Sequence, residues 1–121
     1  MGEGAVVMLV PDGVKIYLYL QPTDMRKSID SLSILISEVL LMNPTDGHLF
    51  LFRSRDGNKL KALHYEPNYF TLWYRRLEKG RFVFPKDKDG HIEMTREHLH
   101  WLLASNKYSR LDADKRYDIF C

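Results

Sequence analysis

The stretch from Leu72 to Phe82 is the part of the chain whose residue types are best suited to binding chemistry. It interleaves four bases with three aromatic residues within eleven positions. Lysine and arginine neutralise phosphates, and aromatic rings stack on nucleobases or cover the stems of basic side chains. The pattern therefore indicates a nucleic-acid-binding surface. The same spacing also fits a core strand or helix with a solvated basic face, and that alternative stays open at this point.

The charge of the chain is regional. Residues 53–86 contain nine Lys or Arg and three acids, a net charge of +6. Residues 1–52 sum to −3 and residues 87–121 to −1, so an overall charge of +2 hides a strongly basic middle. Such asymmetry is typical of proteins with a polyanionic partner.

The basic residues of this middle region are the predicted DNA contacts. Four belong to the 72–82 stretch and four to the hairpin before it, and in chain order they are Arg53, Arg55, Lys59, Lys61, Arg75, Arg76, Lys79 and Arg81. Arg26 and Lys27 either extend this patch or are solvated bases near a helix N-terminus. Trp73 and Tyr74 are stacking candidates. Because neighbouring strand residues point to opposite faces, we expect one of the two to be in the core and the other exposed.

The sequence shows no catalytic or metal-binding pattern. His98 and His100 are two apart on a predicted helix and point about 200° apart, so they cannot share a metal there. Phosphate-binding and nucleophile motifs are absent, and Cys121 has no nearby base. We therefore predict a protein that is not an enzyme and needs neither metal nor cofactor.

Periodicity predicts one α+β domain with an antiparallel sheet of about five strands, one long helix and one short helix. Thr23 or Asp24 is the expected cap of the long helix, and Thr95 that of the short one, which runs to about Ser105. Asp56-Gly57 predicts a hairpin, and Asp89-Gly90 a second turn. The predicted strands lie near 14–20, 48–53, 59–65, 69–77 and 81–84, and the long helix spans 25–42. Residues 69–77 also fit one helical face, but their aromatic density favours a strand.

The domain is predicted to cover residues 1–121, with its core at about 14–104. Residues 1–12 are expected to be a loose lead-in, and residues 106–121 a loose or partner-dependent tail. A single cysteine and the lack of a signal-peptide or membrane-spanning pattern predict a cytoplasmic protein with no membrane contact.

Four motifs, in this order and spacing, resemble a known family. They are Pro22-Thr23-Asp24-Met25-Arg26-Lys27, Gly47-His48-Leu49-Phe50-Leu51-Phe52-Arg53, Lys59-Leu60-Lys61-Ala62-Leu63 and the 72–82 stretch. Together they resemble the TnpB-type accessory protein encoded by the second open reading frame of insertion-sequence-sixty-six elements. The resemblance covers about Val14 to Leu103.

The resemblance implies a small bacterial protein of a mobile element that is needed for efficient transposition, while a separate, larger protein supplies the transposase. The partners expected from this are DNA and the element's transposase and other proteins. The favoured function is DNA binding through the basic middle. The alternative is a protein-interaction module that docks on the transposase without touching DNA.

Overall fold

A computed structural model describes residues 10–85 and 90–104. The described elements are, in chain order, β1 (Ile16–Tyr19), α1 (Ile29–Leu35), a π-helical turn that continues it (Ile36–Leu40), β2 (Leu49–Arg53), β3 (Lys59–Glu66), β4 (Tyr69–Arg76), β5 (His91–Met94) and α2 (Arg96–Ala104). The α+β class, a sheet of five strands and the presence of two helices are confirmed, and four of the strands lie where they were predicted, including the one at residues 69–76. None of the described helices is long and apolar enough to cross a lipid bilayer.

The five strands form one sheet in the order β4-β3-β2-β1-β5. Three of the four pairings are antiparallel, but β1 and β2 are parallel. The sheet, predicted to be antiparallel, is therefore mixed, because the β1–β2 pairing is parallel. The reason lies between these strands, where α1 crosses over the sheet and returns the chain to the end from which β1 started. A helical crossover of this kind joins parallel strands, whereas a tight turn joins antiparallel ones.

The predicted strand at residues 81–84 is absent from the structure, and β5 is the fifth strand instead. Residues 81–85 cross the α2 side of the sheet without regular structure. Phe82 is buried there, and its N–H donates to the carbonyl of Gly57 at 2.8 Å. The alternation of Phe82 and Phe84 thus reflects burial against the sheet and not strand pairing. Asp89 of the predicted second turn lies outside the described residues.

The long helix begins at Ile29, four residues later than predicted, with Ser28 at its N-cap position. The Ser28 N–H donates to Ser31 Oγ at 3.0 Å, which satisfies one backbone donor at the helix start. Asp24 does not cap the helix, because its carboxylate and carbonyl accept from the N–H groups of Arg26 and Lys27 and hold a turn there. At the other end the helix stops at Leu40, where Leu41 adopts a left-handed conformation.

Strand alternation places a hydrophobic cluster on each side of the sheet. The α2 side includes Leu18 and Leu51 packed with Leu102, and the α1 side includes Phe50 and Phe52 packed with Leu32. α2 begins where predicted, since Thr95 Oγ1 accepts from the N–H of His98 at 2.9 Å. The extents of the domain and of the loose lead-in stay predictions, and the tail 106–121 lies outside the described residues.

Candidate nucleic-acid interface

The fold brings three distant segments of the chain to one end of the sheet. This is the end that carries the hairpin between β2 and β3. β2 and β4 end there, and β3 begins there. β1, which runs parallel to β2, also ends there. Backbone hydrogen bonds tie the segments together. The N–H of Thr23 donates to the carbonyl of Arg53, and the N–H of Leu77 to that of Asn58, each at 2.8 Å. Residues that are far apart in sequence therefore share one surface.

We call segments 21–30, 53–61 and 75–81 the basic end. It contains ten Lys or Arg and four acids, and the ten are the eight predicted DNA contacts together with Arg26 and Lys27. The other described residues contain two bases, Lys15 and Arg96, and six acids. The described part of the molecule is thus electrostatically polar, with one cationic end and a mildly anionic remainder.

The Asp56-Gly57 hairpin that shapes this end is confirmed. Gly57 has a φ of 79°, which only glycine adopts without strain, and Ser54 Oγ accepts from the N–H of Lys59 at 3.0 Å. A Cβ placed on Gly57 would lie 3.4 Å from Cβ of Arg81. The lack of a side chain at Gly57 leaves room for Arg81, and the hydrogen bond from the Phe82 N–H to the Gly57 carbonyl holds the segment that carries Lys79 and Arg81 against the hairpin.

Arg53 has a structural role at this end. Its guanidinium lies 5.5 Å from the centre of the Phe84 ring, and Nε donates to the carbonyl of Leu20 at 3.0 Å. Burial lowers the pKa of this guanidinium, which stays protonated at neutral pH. Since its donors and its apolar contacts are used within the protein, we rank Arg53 low among the phosphate contacts.

Lys61, on the α1 side of the sheet, also makes its contacts within the protein, to a backbone carbonyl and to an aromatic ring. Its ammonium group donates to the carbonyl of Lys27 at 2.6 Å and lies 5.7 Å from the centre of the Tyr74 ring. Lys59 Nζ donates to Asn58 Oδ1 at 3.2 Å. The hydrogen bond from Lys61 to Lys27 joins the loop before α1 to β3, and it explains why Arg26 and Lys27 belong to the same surface as the hairpin bases.

Two further arginines form exposed ion pairs. Arg26 binds both carboxylate oxygens of Asp24, with the closest contact, from Nη2 to Oδ2, at 2.7 Å. The side-chain hydrogen bonds from Arg26, assisted by its backbone N–H, hold the pKa of Asp24 well below its usual range. Arg76 pairs with Glu78 at 3.2 Å. Exposed pairs of this kind are weak, so both arginines can exchange a carboxylate for a phosphate.

The remaining bases of the hairpin and of the 75–81 segment are exposed, and within the described residues they form no ion pair. They are Arg55, Arg75, Lys79 and Arg81. Arg75 and Arg76 point to opposite faces of β4, because Arg75 is paired with Leu60 of the α2-side cluster while Arg76 lies beside Lys59. A shallow polar groove lined by Asp56, Asn58, Gly80 and Arg81 runs between the hairpin and the 75–81 segment.

A family model described as IS66 Orf2-like protein matches residues 14–113. The chain belongs to the IS66 Orf2-like family. The resemblance recognised in its motifs is thereby confirmed, and the match extends past Leu103, where those motifs end. Membership indicates a transposition accessory protein that associates with other proteins of an IS66 element.

Two relatives of the IS66 Orf2-like protein are proteins of Sinorhizobium fredii (strain NBRC 101917 / NGR234). One, named uncharacterized protein y4hO, is 38% identical over 98 residues, which cover 79% of this chain and 85% of the relative. The other, uncharacterized protein y4jC, is 31% identical over 99 residues, which cover 82% and 85%. No solved structure matches the chain.

The two stacking candidates of this IS66 Orf2-like protein do lie on opposite faces of β4. Trp73 packs against the α2-side cluster, whereas Tyr74 is 50% exposed on the α1 side, beside Lys61. Tyr74 is therefore better placed than Trp73 to stack on a nucleobase, although this stacking role stays a prediction. Among residues 10–85 and 90–104, no three His, Cys, Asp or Glu side chains are grouped closely enough to hold a metal ion.

The α1 side of the sheet carries a second aromatic group that the sequence pattern did not predict. Tyr17 and Tyr19 of β1 lie there beside His91 of β5, and His48 contacts Tyr17 from the start of β2. The signal was present in the alternation of Tyr17 and Tyr19. It was not recognised, because the position of β5 beside β1 depends on a pairing between strands more than seventy residues apart.

Proposed function

We propose that this protein is a non-catalytic accessory factor that binds DNA through its basic end during transposition in the bacterial cytoplasm. The observation that carries the proposal is the convergence of all ten predicted basic residues on one end of the sheet. The sequence alone left open whether Arg26 and Lys27 joined the hairpin bases. Since a polyanion binds best where cations are concentrated, this end is the natural contact surface for the DNA backbone.

The exposed members of the basic end are suited to phosphate contacts more than to base readout. Arg55 lies on the hairpin turn, Lys79 and Arg81 lie in the irregular segment after β4, and Arg75 and Arg76 lie at the end of β4. Neither described helix presents a row of these side chains that would enter a major groove. We therefore expect binding that depends weakly on sequence and strongly on salt.

The test is a titration of the protein against the element's terminal inverted repeats and against random duplex, each at two salt concentrations. We expect both duplexes to bind with similar affinity, and the logarithm of the binding constant to fall with the logarithm of salt by about 0.9 per phosphate contact. Absence of duplex binding at low salt would contradict the proposal.

A second function is favoured by a separate observation. α1 and its π-helical turn expose the large apolar side chains of Ile34 and Val39, and Leu41 after them is 81% exposed. Exposed apolar residues grouped on one element are typical of protein contact surfaces. If the protein shows no affinity for DNA but binds the element's transposase, and if that binding is lost in Val39→Asp, it is a docking module.

We also predict that the purified protein neither cleaves nor joins DNA in the presence of magnesium or manganese. The physical reason is that the carboxylates of the basic end are either paired with arginine, as Asp24 and Glu78 are, or isolated, as Asp56 is on its turn. Two-metal DNA cleavage needs grouped carboxylates. Nicking of terminal-repeat DNA that disappears in a single carboxylate variant would show this prediction to be wrong.

A further inference from the structure

The α1 side of the sheet is only partly covered by the described residues. α1 and its π-helical turn pack on Phe50, Phe52 and Leu63 of the two central strands. Beyond them, β1 and β5 leave Tyr17 and Tyr19 half-buried and His91 exposed. We call Tyr17, Tyr19, His48 and His91 the aromatic face.

Ring contacts hold the aromatic face in place: Tyr17 contacts His48 and His91, and Tyr19 contacts Phe52 edge-on at 6.4 Å. The ring of Tyr17 lies 5.7 Å from that of Phe50 at an interplanar angle of 22°, and the rings of His48 and His91 contact it edge-on at 5.8 and 5.7 Å. Nδ1 of His48 accepts from the N–H of Lys15 at 3.2 Å. Rigid aromatic rings on a sheet lose little conformational entropy when a ligand stacks on them.

The aromatic face is continuous with the basic end. Tyr19 is the last residue of β1, and the chain continues from it through Leu20 into the 21–30 segment of the basic end. Lys61 in turn holds the loop that carries Arg26 and Lys27. Flat rings therefore adjoin a cationic surface, which is the combination that single-stranded nucleic acids require.

A duplex cannot use such a surface, because its bases are stacked inside the helix and its backbone faces outward. An unpaired strand can place its phosphates on the basic end and turn its bases onto the rings. Glu93, the register partner of Tyr17, stands on the same side and is exposed. Its carboxylate repels phosphates but accepts hydrogen bonds from the N–H groups of unpaired bases, which include the N3–H of thymine, and this favours bases over backbone at this position.

We propose that the aromatic face binds an unpaired stretch of DNA, with bases stacked on Tyr17, Tyr19 and His91 and with the adjoining phosphates on the basic end. This assignment rests on the proposed DNA-binding function and specifies the form of DNA that the protein takes. Ring stacking supplies the preference for unpaired bases, and the cations supply the general attraction for the backbone.

The test uses the full chain and fluorescence anisotropy with three probes of equal length: labelled oligodeoxythymidylate, a random DNA duplex and oligouridylate. The variants are Tyr17→Leu with Tyr19→Leu, which keeps apolar contact with Phe50 and Phe52, and His91→Ala. The matched control is Tyr69→Leu, because Tyr69 is 66% exposed on the opposite side of the same sheet. Melting temperatures are recorded for every variant.

We expect the double variant to lose about ten-fold or more in affinity for oligodeoxythymidylate. His91→Ala should lower the affinity for oligodeoxythymidylate by about five-fold, which corresponds to the weak end of measured base–aromatic stacking energies. Affinity for the duplex should stay unchanged in both, and the Tyr69→Leu control should bind all probes as the wild type does. If the double variant proves unfolded, the affinity of the His91→Ala variant tests the inference, because His91 is exposed and its loss removes little packing.

Each of the following results would overturn the inference. Equal losses on single strand and duplex, or no loss on either with an unchanged melting temperature, would show that the rings do not bind bases. A wild-type protein that binds duplex but not oligodeoxythymidylate would remove this inference and leave the proposed function intact, whereas binding to neither would remove both. Tighter binding to oligouridylate than to the DNA strand would reassign the face to RNA.

Discussion

Replacing Arg75, Lys79 and Arg81 together with alanine should lower the affinity for duplex DNA by about 10- to 100-fold near physiological salt, without lowering the melting temperature. These three side chains are exposed, and within the described residues they form no ion pair, so their loss removes cations and little packing. The dependence of binding on salt should also weaken by about 0.9 per lost contact, which the same titration measures. Arg76 is left unchanged, because its removal would free the Glu78 carboxylate to repel the backbone.

Two single variants serve as controls for this result. Arg96→Ala removes an exposed arginine outside the basic end, where Arg96 lies 3.4 Å from Asp12, and it should leave DNA affinity unchanged. Arg53→Ala should instead lower the melting temperature, because it removes the hydrogen bond to Leu20 and the contact with Phe84. The basic end is not a DNA-contact surface if two results are found together. The triple variant would have a lower melting temperature than the wild type, and the Arg96→Ala control would bind DNA as weakly as the triple variant.

The sequence predicts best those features that depend on neighbouring residues. The Asp56-Gly57 hairpin, the strand at 69–76 and the Thr95 cap are confirmed, since turn chemistry, alternation and capping act within a few positions. Most of the missed features depend on pairing between distant segments, although the start of α1 at Ile29, with Ser28 and neither Thr23 nor Asp24 at its N-cap, is a local exception. The parallel arrangement of β1 and β2 follows from the path of α1 across the sheet, and residues 81–84 alternate because they cover a core, without pairing.

The same distinction applies to the candidate site. The charge of each segment identified the basic middle of the chain, because net charge needs no knowledge of the fold. It did not separate Arg53 and Lys61, whose donors bind carbonyls of Leu20 and Lys27, from Lys79 and Arg81, which face outward. That separation depends on which backbone oxygens come within reach in three dimensions.

Replacing Phe52 with alanine is expected to have the largest effect on stability. The Phe52 side chain is fully buried in the α1-side cluster and lies between Tyr19 and Lys61 in the register of the sheet. Truncating a buried phenylalanine costs about 3–5 kcal/mol, from lost apolar burial and from the cavity that remains. Domains of this size have unfolding free energies of about 5–15 kcal/mol, so a large share of the stability would be lost.

Urea unfolding measures the effect directly. The midpoint should fall while the slope stays close to that of the wild type, because the change weakens the folded state without altering the surface that unfolding exposes. The melting temperature should fall by about 12 °C or more, at about 4 °C or more per kcal/mol.

Ile34→Ala is the matched control, since Ile34 is 61% exposed on the helix that covers Phe52. If both variants melt within about 2 °C of the wild type, on that same scale, the α1-side cluster is not a structural core. The aromatic face would then lack the rigid support that its stacking on DNA requires.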